Sequence, residues 1–400
     1  MITLRGIMRL RFINFLKRHG SLLSFCRAAM RGMMKITYLF PIREKTMLFS
    51  SFGGRNFDDS PRAIYDEICN RREFDDWKLI WAFVEPERFT LPRGEKVRID
   101  SFRFFRILFT TRVWVSNSSM DRGFELRNPH ILRVETWHGT PLKKICGEEH
   151  TNAIKKNRYV KSPDKTVIHC AQSEYDREIL SRVLFAEKDT FLLCDLPRND
   201  ALLRYTDAEK AEIRSSLGIP TGKKVLLYMP TYREYLLNEK KENYLAPPID
   251  FEKWSARLGG EYVLLIRAHY AVSAALGLTE NAFVHDVSSY GRLNDLYAVA
   301  DVLLSDYSSA FIDAAILNVP LLCFAYDLEE YEEKRGLYLD LAETLPCPVC
   351  TTEDEVLVAV AQLDPAKAAA QTDRFRRRFA PYAGHATETV VNEMQRRLKR

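Results

Sequence analysis

The chain has 400 residues, of which 46% are hydrophobic and 28% charged, the composition of a soluble globular protein with room for two or three domains. No run of about 18 apolar residues occurs, so no transmembrane helix is predicted. The net charge of +5 is uneven, because residues 1–40 hold eight lysines and arginines and no acid, while the remainder is nearly neutral. A nucleic-acid partner is therefore not expected.

Residues 1–45 are predicted to form a basic amphipathic segment that associates with a membrane. Ile7, Leu10 and Phe15 recur at helix-like spacing among the arginines. A helix packed on the body of the protein would show the same apolar pattern. A helix lying on an anionic membrane surface also explains why acids are missing, and we favour that interpretation. It predicts a peripheral position on the cytoplasmic face of the cell membrane.

Residues 46–205 alternate short apolar strands with helices. Ser60 is predicted to be the N-cap of the first of these helices, with Pro61 at its first position. The predicted strands have the sequences TMLFSSF, WKLIWAFV, VWVSNS, ILRVETWH and TVIHCAQS.

Residues 206–370 repeat this alternation with strands in KKVLLYM, EYVLLIR, AFVHDVS, DVLLS and PLLCFAYD. Short apolar strands that alternate with helices predict parallel sheets joined by right-handed crossovers. We therefore predict an α/β protein with two Rossmann-like domains that face a cleft. Residues 371–400 are predicted to add a basic C-terminal helix.

Polar residues follow the predicted strands at the points where the strands end. Ligands of open parallel sheets bind beyond the carboxyl ends of the strands, so these residues are expected to meet in the cleft. They are His138, Gly139 and Thr140 in the first half, and Thr231, Arg233, Arg267, His269, Asp306, Ser308 and Ser309 in the second.

The segment SDYSSAFIDAAILN, residues 305–318, is a predicted phosphate site. Ser308 or Ser309 is able to cap a helix that starts at Ala310, and a helix N-terminus attracts anions. Capping alone would also explain the serines. Arg267 and His269 at the neighbouring strand end favour the phosphate interpretation.

His138 follows the strand ILRVET directly and precedes a Gly-Thr-Pro turn. A buried histidine bonded to backbone is the ordinary alternative, but packing seldom requires an imidazole at such a corner. An imidazole titrates near neutral pH and is able to take a proton from a hydroxyl group. Lys143 and Lys144 are expected to attract an anionic substrate, or else to be solvated.

No cofactor and no metal ion are expected from the motifs present. The chain contains no DxD pair, no P-loop and no GxSxG sequence, and Cys347 with Cys350 forms its one CxxC pair, without the further ligands that zinc needs.

The sequences WHGTPLKKI, LPRND, MPTYRE, IRAHY and LLSDYSSAFIDAAILNVPLLCFAYDLEEYEEKRGLY closely resemble the CDP-glycerol:poly(glycerophosphate) glycerophosphotransferase family, and SSFGGRNFDDSPRAIYDEI is similar to its N-terminal motif. The resemblance implies a GT-B fold. It implies catalytic roles for His138 and His269, and donor phosphate contacts from Asp306, Ser308 and Ser309. Cys146 stands where the family commonly has glycine.

The resemblance implies transfer of a polyol phosphate, most simply glycerol phosphate, from a CDP-polyol to a hydroxyl group of a lipid-linked or polymeric acceptor, with release of CMP. We expect His138 to take the acceptor proton and His269 to lie nearer the donor phosphate. The alternatives are CDP-ribitol as donor, a GT-B glycosyltransferase that uses a nucleotide sugar, and a non-catalytic membrane-binding protein. Primer-type transfer and polymerisation both stay open.

Overall fold

The computed structural model describes residues 40–118, 120, 128–150, 166–233, 235, 247–268 and 281–399. Two sequence predictions fall outside these residues: the basic membrane segment, apart from its last six residues, and His269. Within the described residues, two parallel sheets form the two halves of the protein. This confirms the predicted α/β fold with two Rossmann-like units.

The first sheet has seven parallel strands in the order β3-β2-β1-β4-β5-β6-β7. Its central strands are buried on both faces, which explains their continuous apolar runs, such as Met47, Leu48 and Phe49 at 0% exposure. The strands are β1 (Arg43–Ser50), β2 (Lys78–Phe83), β3 (Glu95–Arg98), β4 (Thr111–Ser116), β5 (Leu132–Glu135), β6 (Val167–Ala171) and β7 (Phe191–Leu193).

The second sheet has six parallel strands in the order β10-β9-β8-β11-β12-β13, so both sheets share the doubly wound order. Its strands are β8 (Lys224–Met229), β9 (Tyr262–Ile266), β10 (Val284–Asp286), β11 (Val302–Ser305), β12 (Leu321–Phe324) and β13 (Val349–Cys350). The three strands that the sequence pattern missed, β3, β7 and β13, are edge strands of two to four residues. A period of two cannot be recognised over so few positions.

Helices cover the sheets. In the first half they are α1 (Asp59–Asn70), α2 (Phe102–Thr110) and α3 (Glu174–Val183). In the second they are α4 (Asp207–Ser216), α5 (Phe251–Leu258), α6 (Leu293–Val299), α7 (Ala310–Ala315), α8 (Leu328–Lys334), α9 (Leu341–Thr344) and α10 (Glu353–Ala361), followed by α11 (Pro365–Phe379) and α12 (Ala386–Leu398). The N-cap position of α1 is Asp58 rather than Ser60, which is buried inside the first turn.

The end of the chain returns to the first half. Helix α11 packs through Phe375 and Phe379 on the core of the second half. Helix α12 then buries Val390, Val391 and Met394 in the core of the first. The carboxylate of Asp200 accepts hydrogen bonds from the first backbone N–H groups of α12, at 2.9 and 2.7 Å. The predicted C-terminal helix, residues 371–400, is thus not one helix but the end of α11 followed by α12, and only α12 is part of the first half's core.

A segment of the first half also docks on the second half. After β5 the chain runs through residues 137–145, and Leu142 enters the core of the second half. The backbone of Lys144 donates to the Gly336 carbonyl at 2.9 Å, and Tyr338 donates to the Leu142 carbonyl at 2.8 Å. These bonds fix the corner after β5 in the cleft between the halves.

Among the described residues, no helix is both long and apolar enough to cross a membrane. The same part of the chain contains no group of three or more histidine, cysteine and acidic side chains arranged to hold a metal ion.

Candidate active site

Both sheets reverse their strand order at one point, between β1 and β4 in the first half and between β8 and β11 in the second. Crevices open at the carboxyl ends of strands at such points. The loop after β1 (residues 51–58) and the loop after β11 (residues 306–309) lie at these crevices, and the corner after β5 lies between them. Two of the predicted strand-end residues, Gly139 and Ser309, come together here.

The WHGT corner, residues 137–140, makes a sharp turn into the cleft. Trp137 has a left-handed φ of +58°, which is uncommon for a bulky residue. Gly139 has a φ of +149°, and a Cβ added to it would lie 2.3 Å from the Ser309 hydroxyl oxygen. A side chain at position 139 would therefore separate the corner from the DYSS segment, residues 306–309. The glycine lets the two halves touch here.

The His138 imidazole is open to the cleft and has a defined orientation. Its Nδ1 lies 2.9 Å from the Asn117 carbonyl oxygen, so Nδ1 carries a proton and donates it there. Nε2 is then the nitrogen with a free lone pair. The ring stacks on Trp137 and meets the edge of Phe52. Burial lowers the pKa of His138 below its ordinary value, which keeps the imidazole neutral at pH 7.

Asn117, which follows β4, joins His138 to the loop after β1. Its carbonyl orients the imidazole, and its side-chain Oδ1 accepts a hydrogen bond from the Phe52 backbone at 2.8 Å. The next backbone N–H, that of Gly53, donates to the Ser118 hydroxyl at 3.0 Å. The loop and the histidine are therefore held as one unit.

Arg198, from the LPRND segment, joins the two halves through a buried ionic network. Its guanidinium lies 2.6 Å from the Asp59 carboxylate at the start of α1 and 2.8 Å from the Asp313 carboxylate in α7. It also donates to the His138 carbonyl at 3.1 Å. The three ionic side chains are each at most 9% exposed. The guanidinium thus spans the first half, the second half and the WHGT corner.

The polar residues that follow β8 and β11 form buried bonds within the second half. Asp306 is completely buried and accepts hydrogen bonds from the Thr231 backbone at 2.9 Å and the Arg233 guanidinium at 2.7 Å. Arg233 also forms a bidentate pair with Asp327, both bonds being 2.8 Å, and lies against the rings of three tyrosines. Asp306 and Arg233 therefore fix the loops after β8 and β11 and do not point into the cleft.

Ser308, Ser309 and Arg267 remain at the surface of the cleft. The Ser308 hydroxyl, one residue before the N-cap position, accepts from the Ala310 backbone at 3.2 Å. Ser309 makes no capping bond. Helix α7 has only six residues, so hydroxyl groups and nearby cations matter more here than its dipole. The Arg267 guanidinium is half-buried and bonds to the carbonyls of Val287 and Tyr290.

Lys143 lies on the second half, beside Asp306, Arg233 and Arg335. Burial, with the two arginines, lowers the pKa of Lys143 to about 8, although Asp306 opposes the shift. Lys143 pairs with Leu337 of the second half, so its charge lies on that side of the cleft. Lys144 contacts His150 at 2.7 Å. Thr140 is buried and bonded to Gln172 and Asp176, so its hydroxyl faces the interior.

Four residues that organise this site are not identifiable from the local sequence. Asn117, Asp59, Arg198 and Asp313 come from segments that lie far apart in the chain, so no local spacing connects them. The LPRND motif was visible, but an arginine in a loop is usually solvated. Left-handed backbone at Phe52, Asp59 and Trp137 is likewise a product of tertiary contacts.

A family model described as CDP-Glycerol:Poly(glycerophosphate) glycerophosphotransferase matches residues 32–395. The chain is 33% identical over 323 residues to a teichoic acid poly(glycerol phosphate) polymerase of Staphylococcus epidermidis, covering 78% of this chain and 44% of that protein. It is 32% identical over 340 residues to a polymerase of the same name from Bacillus spizizenii, covering 82% and 86%. The chain therefore spans less than half of the first relative and most of the second.

A solved structure of the wall teichoic acid polymerase TagF superposes on this chain with a TM-score of 0.81 at 28% identity, covering 97% of this chain and 98% of that one. A TagF variant in which a histidine is replaced by asparagine, soaked with CDPG, superposes equally well. The similarity extends over both sheets, so the arrangement of the two halves is shared and is of the GT-B kind.

We predict that removing the Arg198 guanidinium will cost much of the stability of the protein. Arg198→Met leaves the buried carboxylates of Asp59 and Asp313 without a counter-ion, which typically costs about 3–5 kcal/mol. Urea unfolding at pH 8 measures the loss. The two carboxyls will then have raised pKa values, so the folded state binds extra protons and the loss should shrink at pH 5.

The matched control is Arg103→Met, which removes an arginine from the exposed pair with Glu95 and should cost less than about 1 kcal/mol. Adding Asp59→Asn and Asp313→Asn to Arg198→Met should restore part of the stability. Equal losses in the Arg198 and Arg103 variants would contradict the buried bridge.

Proposed function

The chain belongs to the CDP-glycerol:poly(glycerophosphate) glycerophosphotransferase family, and we propose that it transfers glycerol phosphate from CDP-glycerol to a hydroxyl group of a teichoic-acid-like acceptor, releasing CMP. The observation that carries this proposal is the contact of the WHGT corner with the DYSS segment. That contact sets an imidazole with a free Nε2 next to the hydroxyl groups and cations of the second half.

In the proposed reaction the acceptor oxygen attacks the phosphorus that bears the glycerol. A new P–O bond forms while the bond from that phosphorus to CMP breaks, and CMP leaves with the electron pair. The acceptor proton passes to Nε2 of His138. Phosphoryl transfer of this kind depends mainly on positioning and on stabilisation of negative charge. Both requirements match a preorganised histidine in a cleft that contains cations.

On the donor side we assign the diphosphate to Ser308, Ser309, Arg267 and Lys143. Lys143 forms no salt bridge among the described residues, and the nearby Asp306 is already bonded to Arg233 and the Thr231 backbone, which leaves the lysine for a ligand. Asp306, Arg233 and the Thr231 backbone support this surface from beneath. Protein cations supply the positive charge in this scheme, so it includes no metal ion and no cofactor.

His269 is proposed to act nearer the donor phosphate, although it lies outside the described residues.

Glycerol is proposed over ribitol because both relatives described above are named poly(glycerol phosphate) polymerases. The test is incubation of the full chain with CDP-glycerol or CDP-ribitol and a glycerol phosphate oligomer, with nucleotide products separated by chromatography. We expect CMP from CDP-glycerol, at least about tenfold faster than from CDP-ribitol, because one site rarely fits two polyols equally. Release of CDP, or faster reaction with CDP-ribitol, would contradict the proposal.

We predict that His138→Ala lowers turnover about a hundredfold or more, the usual contribution of a general base. The neutral imidazole is the active form, so kcat/KM of the unaltered protein should rise with pH. Because the pKa of His138 is lowered, the midpoint of this rise should fall below about pH 6.5, the ordinary histidine value.

The control is His385→Ala, which alters an exposed histidine before α12 that makes no capping bond. It should leave turnover and the pH profile unchanged. A wild-type rate for His138→Ala, or a rise centred well above pH 6.5, would remove His138 from the role of base.

We also propose that the enzyme acts at the membrane, on a lipid-linked acceptor, held there by the basic residues near its N-terminus. The eight basic and no acidic residues within residues 1–40 support this. Each basic group near an anionic surface contributes about 1 kcal/mol, so replacing Arg9, Arg11, Lys17 and Arg18 by Gln should weaken binding by about 4 kcal/mol.

Flotation with phosphatidylglycerol vesicles measures this binding, and phosphatidylcholine vesicles are the control. Binding should fall as salt rises, because salt screens exposed charges. If the full chain floats equally with both vesicles, or if the four substitutions change nothing, the electrostatic anchor is wrong.

A further inference from the structure

A cavity of about 740 Å³ opens between the two halves, on the side of the loop after β1. One wall belongs to the first half and includes Arg55, Arg62 and Arg88. The opposite wall belongs to the second half and includes Arg267 with Ser288 and Ser289. The volume is in the range of small-molecule binding sites. The proposed reaction assigns no role to the arginines of the first wall.

The lining of this cavity carries an excess of positive charge. Four arginines line it against two acids, Asp58 and Glu85. Glu85 is already paired with Arg88 at 3.0 Å. The Asp58 carboxylate accepts hydrogen bonds from the Ser51 hydroxyl at 2.8 Å and the Asn56 amide at 2.9 Å, which are neutral donors. Glu85 thus offsets Arg88, but four arginines against two acids leave the lining with an excess of two positive charges.

Arg55 is the cation on the first wall that is free to bind a ligand. It is exposed, and its guanidinium donates to the Phe52 carbonyl at 3.3 Å. Within the described residues it contacts no carboxylate. Arg62, by comparison, is paired with Asp66 at 3.2 Å and lies over the Phe57 ring. A guanidinium presents a planar set of donors that matches a phosphate group.

The loop that carries Arg55 also contacts the proposed base. Phe52, three residues earlier, packs its ring against His138 and donates its backbone N–H to Asn117, whose carbonyl orients the imidazole. A hydroxyl group at Nε2 of His138 thus lies near this loop. The rest of an acceptor that carries this hydroxyl would extend along the first wall.

We propose that the first wall binds a phosphodiester of the acceptor, with Arg55 as the principal contact. This inference rests on the proposed transfer reaction. The two walls of the cleft would then bind two different phosphate-bearing substrates. Arg267, on the second wall, serves the donor. Arg55, on the first wall, holds a phosphate of the acceptor. The acceptor recognised is therefore an already anionic chain end.

The test compares Arg55→Ala with the unaltered chain, using a soluble glycerol phosphate oligomer as acceptor and CDP-glycerol as donor. Loss of a charge-assisted contact should raise the acceptor KM about tenfold or more. The donor KM should stay within about twofold. An uncharged polyol acceptor should show no difference between the two proteins. Arg103→Ala, on the far face of the first half, is the control and should change neither KM.

The outcomes separate this inference from the proposed function. Fluorescence anisotropy with a labelled oligomer and no donor measures binding without chemistry, and Arg55→Ala should weaken it about tenfold. Arg55-dependent binding without CMP release would leave the inference standing and contradict the reaction. CMP release with an unchanged acceptor KM in Arg55→Ala would overturn the inference alone. So would a raised donor KM with an unchanged acceptor KM.

A second acceptor distinguishes the source of the phosphate. A short lipid-linked acceptor carries a diphosphate but no phosphodiester repeat. If Arg55→Ala impairs only reaction with this lipid, the site binds the lipid diphosphate and the assignment to a phosphodiester chain end is wrong. Impairment with the soluble oligomer supports the assignment.

Discussion

The position of the two halves relative to each other depends on one buried guanidinium. Arg198 pairs with Asp59 on the first half and Asp313 on the second, and it also donates to the His138 carbonyl and to the Asn199 side-chain oxygen. Two carboxylates this deeply buried would be costly without a cation between them. The halves therefore lower their free energy by closing on Arg198. The same closure brings the WHGT corner against the DYSS segment.

A further polar chain lies beneath this contact and gives the corner a rigid support. Thr140 bonds to Gln172, which donates to Asp195, and Asn199 bonds to both Asp195 and Asp313. Burial raises the pKa of Asp195 to about 7, so this carboxyl is partly protonated at neutral pH and burial of full charge is avoided. This buried network favours a single position of the WHGT corner, because each member would lose its hydrogen-bond partners if the corner moved.

The fold and the general location of the candidate site could be predicted from the sequence, because the pattern of apolar residues shows where the strands lie and where they end. Buried parallel strands read as apolar runs, and polar residues after such runs lie at one edge of a sheet. The sequence could not show which polar residues face inward. Thr140, Arg233 and Asp306 have the same local pattern as His138 and Ser309, yet their side chains are internal. These side chains are buried because they bond to residues more than 30 positions away in the chain, such as Asp176 and Asp327.

The path of the chain between the halves has a mechanical consequence. The chain leaves the first half after Arg204, and it returns to the first half between α11 and α12, where α12 joins the first core. A body attached at these two crossings turns most easily about the line through them, provided that the contacts of residues 137–145 with the second half release as the cleft opens. Opening of the cleft should therefore be rotation about a single hinge axis. Such a rotation widens the gap between Gly139 and Ser309. When the cleft closes again, the two walls proposed to bind the substrates return to the same relative position.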